Sequence, residues 1–301
     1  MRFKFVLPVL FGVCLASLAQ EPVHLSVDVQ RVNVLFTVTA KGGKLITNLT
    51  QDDFTIYEDG KPQKISNFSK ESNLPLNIAL LVDSSGSVWD KLRFERDAAA
   101  RFFSYTMRPA QDKAFVMTFD TGVSLLQDYT DNSATLEHAL DRVIAGGSTS
   151  LYDGVVEATR KLAFQPGRRA IVILSDGLDN SSHIDLAGAL QAAQKNDVVV
   201  YAISANRIEG VFLQEPQIGD DNLTQLAAQT GGHALFPKRA QDLRRAFYSI
   251  GEELRAQYSL AYGPTNTRLD GTYRVIDVVP ARKDYKIRCR HGYFARKGTS
   301  G

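Results

Sequence analysis

Short apolar runs alternate with longer segments of helical period through the middle of this chain. Residues 78–82, 114–119, 170–174 and 198–203 are apolar at nearly every position, as strands buried on both faces are, and residues 233–236 make a weaker fifth run. Between them, Val88, Leu92, Ala99 and Phe103 fall in one stripe of a helix that Pro109 follows. Residues 151–164, 186–194, 222–229 and 240–257 read as the other helices, and residues 123–127, after Asp120-Thr121-Gly122, suit an antiparallel hairpin partner. This pattern predicts an α/β, Rossmann-like fold with a mostly parallel central sheet and helices on both faces.

On either side of that region the period drops to two. Leu25, Val27 and Val29, then Val32, Val34, Phe36 and Val38, alternate with polar residues. Lys41-Gly42-Gly43-Lys44 reads as a loop, and Asp59-Gly60 as a hairpin turn between residues 54–57 and 65–68. Strands return at residues 258–262, 273–279 and 285–290, with Asp270-Gly271 and Lys283-Asp284 as turns. Neither set can enclose a core alone, so the two ends are expected to pack together as one small β unit beside the central domain. The expected layout is a signal peptide (1–19), an N-terminal β segment (20–73), the central domain (74–256), a C-terminal β segment (257–296) and a tail (297–301), with Pro75 at the first junction.

The start of the chain adds a location. Arg2 and Lys4 precede the apolar residues 5–16, and Ser17-Leu18-Ala19 resembles a cleavage signal before Gln20, the pattern of a secretory signal peptide. An uncleaved anchor fits less well because Pro8 and Gly12 break a short apolar stretch, and a lipoprotein reading through Cys14 meets the bulky Val13. The mature chain is expected to be exported, to the periplasm or the medium, with no membrane span. It would keep only Cys289, on the apolar side of a strand, as a buried inert thiol. A composition of 44% apolar and 23% charged residues, with a formal charge of +2 over 301 residues, is that of a globular protein with no global field for nucleic acid or anionic membranes.

The candidate chemistry lies at the ends of the apolar runs, where open α/β sheets bind ligands. Asp83-Ser84-Ser85-Gly86-Ser87 follows the first run, Gly146-Gly147-Ser148-Thr149 precedes a helix, and Ser175-Asp176-Gly177 follows residues 170–174. Together these loops offer two carboxylates and three hydroxyls, an all-oxygen set rich in neutral ligands. Magnesium suits it, with manganese or calcium in its place, and a low ligand charge leaves the ion attractive to an Asp or Glu of a partner. The same residues also suit plain helix capping: Ser85 and Ser87 before one helix, Thr149 or Ser150 with Asp153 before the next. Capping leaves Asp83 and Asp176 unexplained. Asp153 and Asp179 fit capping and turn formation better than a metal role.

These three loops resemble the metal-ion-dependent adhesion site of von Willebrand factor A domains, an Asp-x-Ser-x-Ser motif with a distant Thr and a distant Asp. The resemblance covers about residues 74–256 and implies that Asp83, Ser85, Ser87, Thr149 and Asp176 hold the ion. The flanks, with residues 52–61, Pro264-Thr265-Asn266 and His291-Gly292-Tyr293-Phe294-Ala295, resemble a family of exported von Willebrand A-related proteins common in acidobacteria, which implies the same three-part layout.

Enzymatic readings find less support. Gly-x-Ser-x-Gly, a phosphate-binding Gly-x-x-x-x-Gly-Lys loop and a Gly-x-Gly-x-x-Gly after a strand are all absent, and His24, His138, His183, His233 and His291 are scattered without zinc spacing. Metal-assisted phosphoester hydrolysis is the remaining enzymatic alternative and lacks a general base. A basic stripe of Arg282, Lys283, Lys286, Arg288 and Arg290 on the solvent side of the last strands suits a solvated face, and an acidic polymer better than nucleic acid. The expected function is a non-enzymatic adhesion module engaging an acidic group of a protein partner. An envelope scaffold with a vestigial metal site is the alternative from another class.

Overall fold

The computed structural model describes residues 31–70, 74–86, 92–144, 146–206 and 216–298. The expected signal peptide, Cys14, the alternation of Leu25, Val27 and Val29, and the positions of Ser87 and Val88 lie outside the described residues.

The central sheet has six strands: β5 (Leu76–Asp83), β6 (Lys113–Phe119), β7 (Val123–Thr130), β8 (Arg168–Ser175), β9 (Val198–Ser204) and β10 (Ala234–Leu235), in the order β10-β9-β8-β5-β6-β7. All neighbours are parallel except β7, which is antiparallel to β6, as the hairpin signal implied. The apolar runs have no polar phase because both faces are covered. Ile78, Leu80 and Val82 of β5, with Val172 of β8 and Tyr201 of β9, meet one helical layer; Ala79, Leu81, Ile171, Ile173 and Val200 meet the other. The first layer is α1 (Leu92–Thr106), α2 (Ser133–Leu140) and α6 (Ala240–Arg255), and the second is α3 (Leu151–Leu162), α4 (Leu186–Lys195) and α5 (Pro216–Thr230). Helix α2 has no counterpart in the sequence reading. Its start is nevertheless conventional: Asn132 Oδ1 accepts the Ala134 and Thr135 amides, and Leu136 and Leu140 are buried one turn apart.

The flanking strands make two antiparallel sheets, β13-β1-β11-β4 and β14-β12-β2-β3. They are β1 (Val32–Thr39), β2 (Phe54–Glu58), β3 (Lys61–Gln63) and β4 (Ile65–Lys70) before the central domain, and β11 (Tyr258–Tyr262), β12 (Tyr273–Pro280), β13 (Lys286–Cys289) and β14 (Gly292–Phe294) after it. Strand β1 lies between β11 and β13, and β2 pairs with β12, so both sheets need both ends of the chain. One core joins them: Val34, Phe36, Phe54, Ile56, Tyr258, Leu260, Ile276 and Val278 are buried together. The Asp59-Gly60 turn, with φ of 48° and 75°, joins β2 to β3 rather than to residues 65–68. The chain then crosses at Lys64, and β4 pairs with β11 in the other sheet, because Phe68 packs on Phe54 and Tyr258 there. Cys289 packs against this core, and burial pushes its thiol up to about 11, as an inert structural thiol requires.

The β unit sits at the end of the central sheet where the strands begin. Glu253, near the end of α6 and buried, accepts from Thr37 Oγ1 of β1 (3.0 Å) and from Arg288 of β13 (2.9 Å). Arg290 pairs with Asp197, just before β9, and donates to the Asn33 carbonyl (2.6 Å). The basic stripe is therefore not one solvated face. Arg288 and Arg290 turn inward to clamp the two units, and Arg282 is paired with Asp284 (2.9 Å). The opposite end, where strands β5, β6, β8 and β9 finish, is left clear of the β unit.

Candidate functional site

Strand register brings the candidate residues together. Asp83 aligns with Phe119 of β6, and the β5–β8 register pairs Val82 with Leu174, so Asp83 and Ser175 end adjacent strands side by side. From β5 the chain crosses to β6 on one side, and from β8 to β9 on the other. The crevice between β5 and β8 is thus the switch point of the sheet, and Asp83 and Asp176 flank it.

Asp83 is fully buried. Its Oδ2 accepts from Ser175 Oγ (2.6 Å) and its Oδ1 from the Ser85 amide (2.9 Å). Burial and then the negative charge of Asp176 push its carboxyl up from 3.8 to about 6, while the bonds from Ser175 and Ser85 act the other way. Asp176, also buried, is fixed by its loop. Its Oδ1 accepts from the Leu178 amide (3.1 Å) and its carbonyl from Asn206 Nδ2 (2.7 Å). Gly177 allows the turn that follows: its φ is +80°, and a Cβ there would lie 2.2 Å from the Gly219 carbonyl oxygen.

The middle loop is tied to both neighbours. The Gly146 amide donates to the Ser84 carbonyl (2.7 Å), and Thr149 and Asn180 form a two-way clasp, Thr149 N–H to Asn180 Oδ1 (2.8 Å) and Asn180 N–H to the Thr149 carbonyl (3.0 Å). Helix α3 is capped from the third loop rather than from its own. Asp179 Oδ2 accepts the Tyr152 amide (3.1 Å), Ser182 Oγ accepts the Asp153 amide (3.0 Å), and Ser150 makes no capping bond. That removes the capping role from Thr149, whose hydroxyl makes no hydrogen bond among the described residues although the residue is buried. Asp153 instead accepts the His183 and Ile184 amides, and Asp179 those of Tyr152 and Ser182, so both brace loops as expected.

Of the five residues expected at an ion, the structure gathers Asp83, Ser85 and Asp176 around one crevice and braces Thr149 beside them; Ser87 lies outside the described residues. The donor set fits a hard divalent cation: two buried carboxylates stand together, and the charge of Asp176 adds to burial in raising the Asp83 carboxyl. Among the described residues no group of three or more His, Cys, Asp and Glu side chains could hold a metal ion. Sequence reasoning missed Ser175, which donates to Asp83 and accepts the Gly177 amide (2.9 Å), and Asn180, whose side chain accepts from the Thr149 amide. Ser175 was legible as a hydroxyl at a strand end, but its direction was not.

The sheet is open, with three loops near its switch point and an Asp-x-Ser-x-Ser on the first. Residues 78–179 match the family model of the von Willebrand factor type A domain. No curated protein sequence matches the chain. Among solved structures, proximal thread matrix protein 1 from the mussel byssus is similar over 66% of this chain and 51% of its own (17% identity, TM-score 0.52). A form of that protein with a zinc-occupied metal-ion-dependent adhesion site aligns equally well (18% identity, 66% and 50% coverage, TM-score 0.51). The von Willebrand factor domain of the type V pilus tip protein Mfa5 from Porphyromonas gingivalis aligns over 60% of this chain and 95% of its own (13% identity, TM-score 0.50). The chain thus spans about half of the mussel protein, and these likenesses are of fold. No helix among the described residues is long and apolar enough to cross a membrane.

Proposed function

We propose that this chain is an exported, non-enzymatic binding module that engages a carboxylate of a protein partner through a divalent cation held by Asp83, Ser85, Ser87, Thr149 and Asp176. The observation that carries the reading is the pair of buried acids at the β5/β8 crevice, with Asp83 raised by burial and by Asp176. Bound there, magnesium or manganese would supply the positive charge that attracts an incoming Asp or Glu. Ser175 and the Ser85 amide hold the Asp83 carboxylate in place, and the Thr149–Asn180 clasp holds the Thr149 backbone so that its hydroxyl is left for the ion. The domain's family and the zinc-occupied relative support a metal at this position; a pilus-tip relative supports adhesion.

The test is calorimetric titration of wild type and Asp83→Asn with magnesium and manganese, with circular dichroism as the check on folding. Uptake by wild type and none by the folded variant is expected; equal uptake would overturn the assignment. A captured partner should leave on addition of EDTA. Metal-independent capture would favour a scaffold, and phosphoester turnover that needs Asp83 would favour an enzyme.

A further inference from the structure

The end of the molecule remote from the metal loops carries a second concave feature. Helix α4, the start of β1 and the segment from β14 to residue 297 enclose a cleft of about 670 Å³. Its wall contains Arg31, Lys195, Arg290, Arg296 and Lys297, against Asp197 as the acid among the described lining residues. In a chain with a formal charge of +2, that is a local concentration of cations.

Lys195, Arg290 and Lys297 are held in place. Arg290 takes up Asp197 in an ion pair and is itself wedged against the Asn33 carbonyl, so Asp197 does not offset the others. Lys195 Nζ is steadied by Gln191 Oε1 (3.0 Å) and lies 5.6 Å from the centre of the Phe294 ring. Lys297 is fixed through its backbone by a bridge to Asp270, and its stem lies across Gly271, where a Cβ would come within 2.6 Å of Lys297 Cγ. Arg31, Lys195 and Lys297 are exposed and make no ion pair among the described residues. A solvated charged face would need no concavity and no fixed spacing.

The rest of the lining narrows the ligand. The amide oxygens of Asn33 and Gln191 are taken up by Ser259 and Lys195, so their amide nitrogens offer donors to hydroxyl groups, and Phe294 offers a ring face beside Lys195. Carboxylates for the cations, hydroxyls for the amides and a C–H face for the ring describe a sugar acid. Single-stranded nucleic acid would want successive aromatic platforms, whereas Tyr293 is buried, with its hydroxyl bonded to Glu58 (2.9 Å). We propose that this cleft binds an acidic oligosaccharide of the uronate type, with Arg31, Lys195 and Lys297 reading its carboxylates. The site is separate from the metal loops and binds without a divalent ion.

The test uses the mature full chain and a short oligogalacturonate as the probe, titrated calorimetrically at low salt in EDTA. Wild type should bind, Asp83→Asn should bind equally, and the methyl-esterified oligomer of the same length should not bind. Reversing two cations with Lys195→Glu/Lys297→Glu should weaken binding about tenfold or more, and Arg31→Glu, on a different element, should weaken it in the same direction. All three positions are exposed, and circular dichroism checks the fold. No binding by wild type, or undiminished binding by the reversal variants, overturns the proposal. So does equal binding of the methyl ester, or of a single-stranded oligonucleotide of matched charge.

Discussion

Replacing Asp83 by Asn should make the metal-free protein more stable at neutral pH, although it removes a residue from the heart of the site. In the folded chain, burial and then Asp176 raise the Asp83 carboxyl from 3.8 to about 6. A carboxyl with a higher pKa folded than unfolded binds its proton more tightly in the folded state, so ionising it costs stability. The cost is absent below ~pH 4, grows between ~pH 4 and ~pH 6, and is complete above that range. A shift of this size corresponds to roughly 3 kcal/mol. Asparagine carries no charge at any pH and keeps an oxygen for the Ser85 amide, but it sets an NH2 donor opposite the Ser175 hydroxyl in place of an acceptor, which returns about 1 kcal/mol. The net gain is about 2 kcal/mol, or roughly 4–8 °C in melting temperature for a domain of this size. Thermal unfolding of wild type and variant in EDTA, from ~pH 4 to ~pH 7.5, should give curves that converge in acid and separate as pH rises. Added magnesium should stabilise wild type alone. A variant no more stable than wild type at neutral pH in EDTA would refute the claim that two acids oppose each other here in want of a cation.

Ser175→Ala removes the 2.6 Å bond to Asp83 and the acceptor of the Gly177 amide. It should cost about 1–3 kcal/mol in urea unfolding and weaken metal uptake more at ~pH 6 than at ~pH 8, because Asp83 loses a partner that favours its charged form. Gly177→Ala places a methyl group where φ is +80° and Gly219 is 2.2 Å away, so the third loop must move. The variant should lose metal uptake by calorimetry while keeping its circular dichroism spectrum. Glu253→Ala leaves Thr37 and Arg288 without their shared acceptor at the junction of the two units. A loss of about 3 kcal/mol in urea unfolding is expected, at the lower end for a broken buried pair because Arg288 is partly exposed.

Much of this architecture is written in local pattern. Residues 78–82, 170–174 and 198–203 have no polar phase because helices cover both faces of their strands, and a sheet of that kind with β-to-helix alternation has few topologies open to it. The candidate site followed from the same source: loops at the ends of such strands are where ligands bind, and Asp83, Ser85, Thr149 and Asp176 lie in three of them. Period-two alternation at both ends likewise implied a shared β unit. Local pattern could not say which strands of that unit pair. The Asp59-Gly60 turn is correct as a turn, yet its partner strand is β3, since packing of Phe68 on Tyr258 draws β4 into the other sheet.

The spacing of hydrophobic residues and the chemistry of the loops by themselves determined the class of fold, the location of the candidate site and its oxygen-rich character, because burial period and strand-end position are properties of neighbouring residues. Tertiary structure alone decided direction and charge. It turned Ser175 toward Asp83, gave the capping of α3 to the third loop so that the Thr149 hydroxyl is left over, and drew Arg288 and Arg290 inward to carboxylates far away in sequence. Those outcomes depend on which distant groups share a low-dielectric space, and no local pattern encodes that.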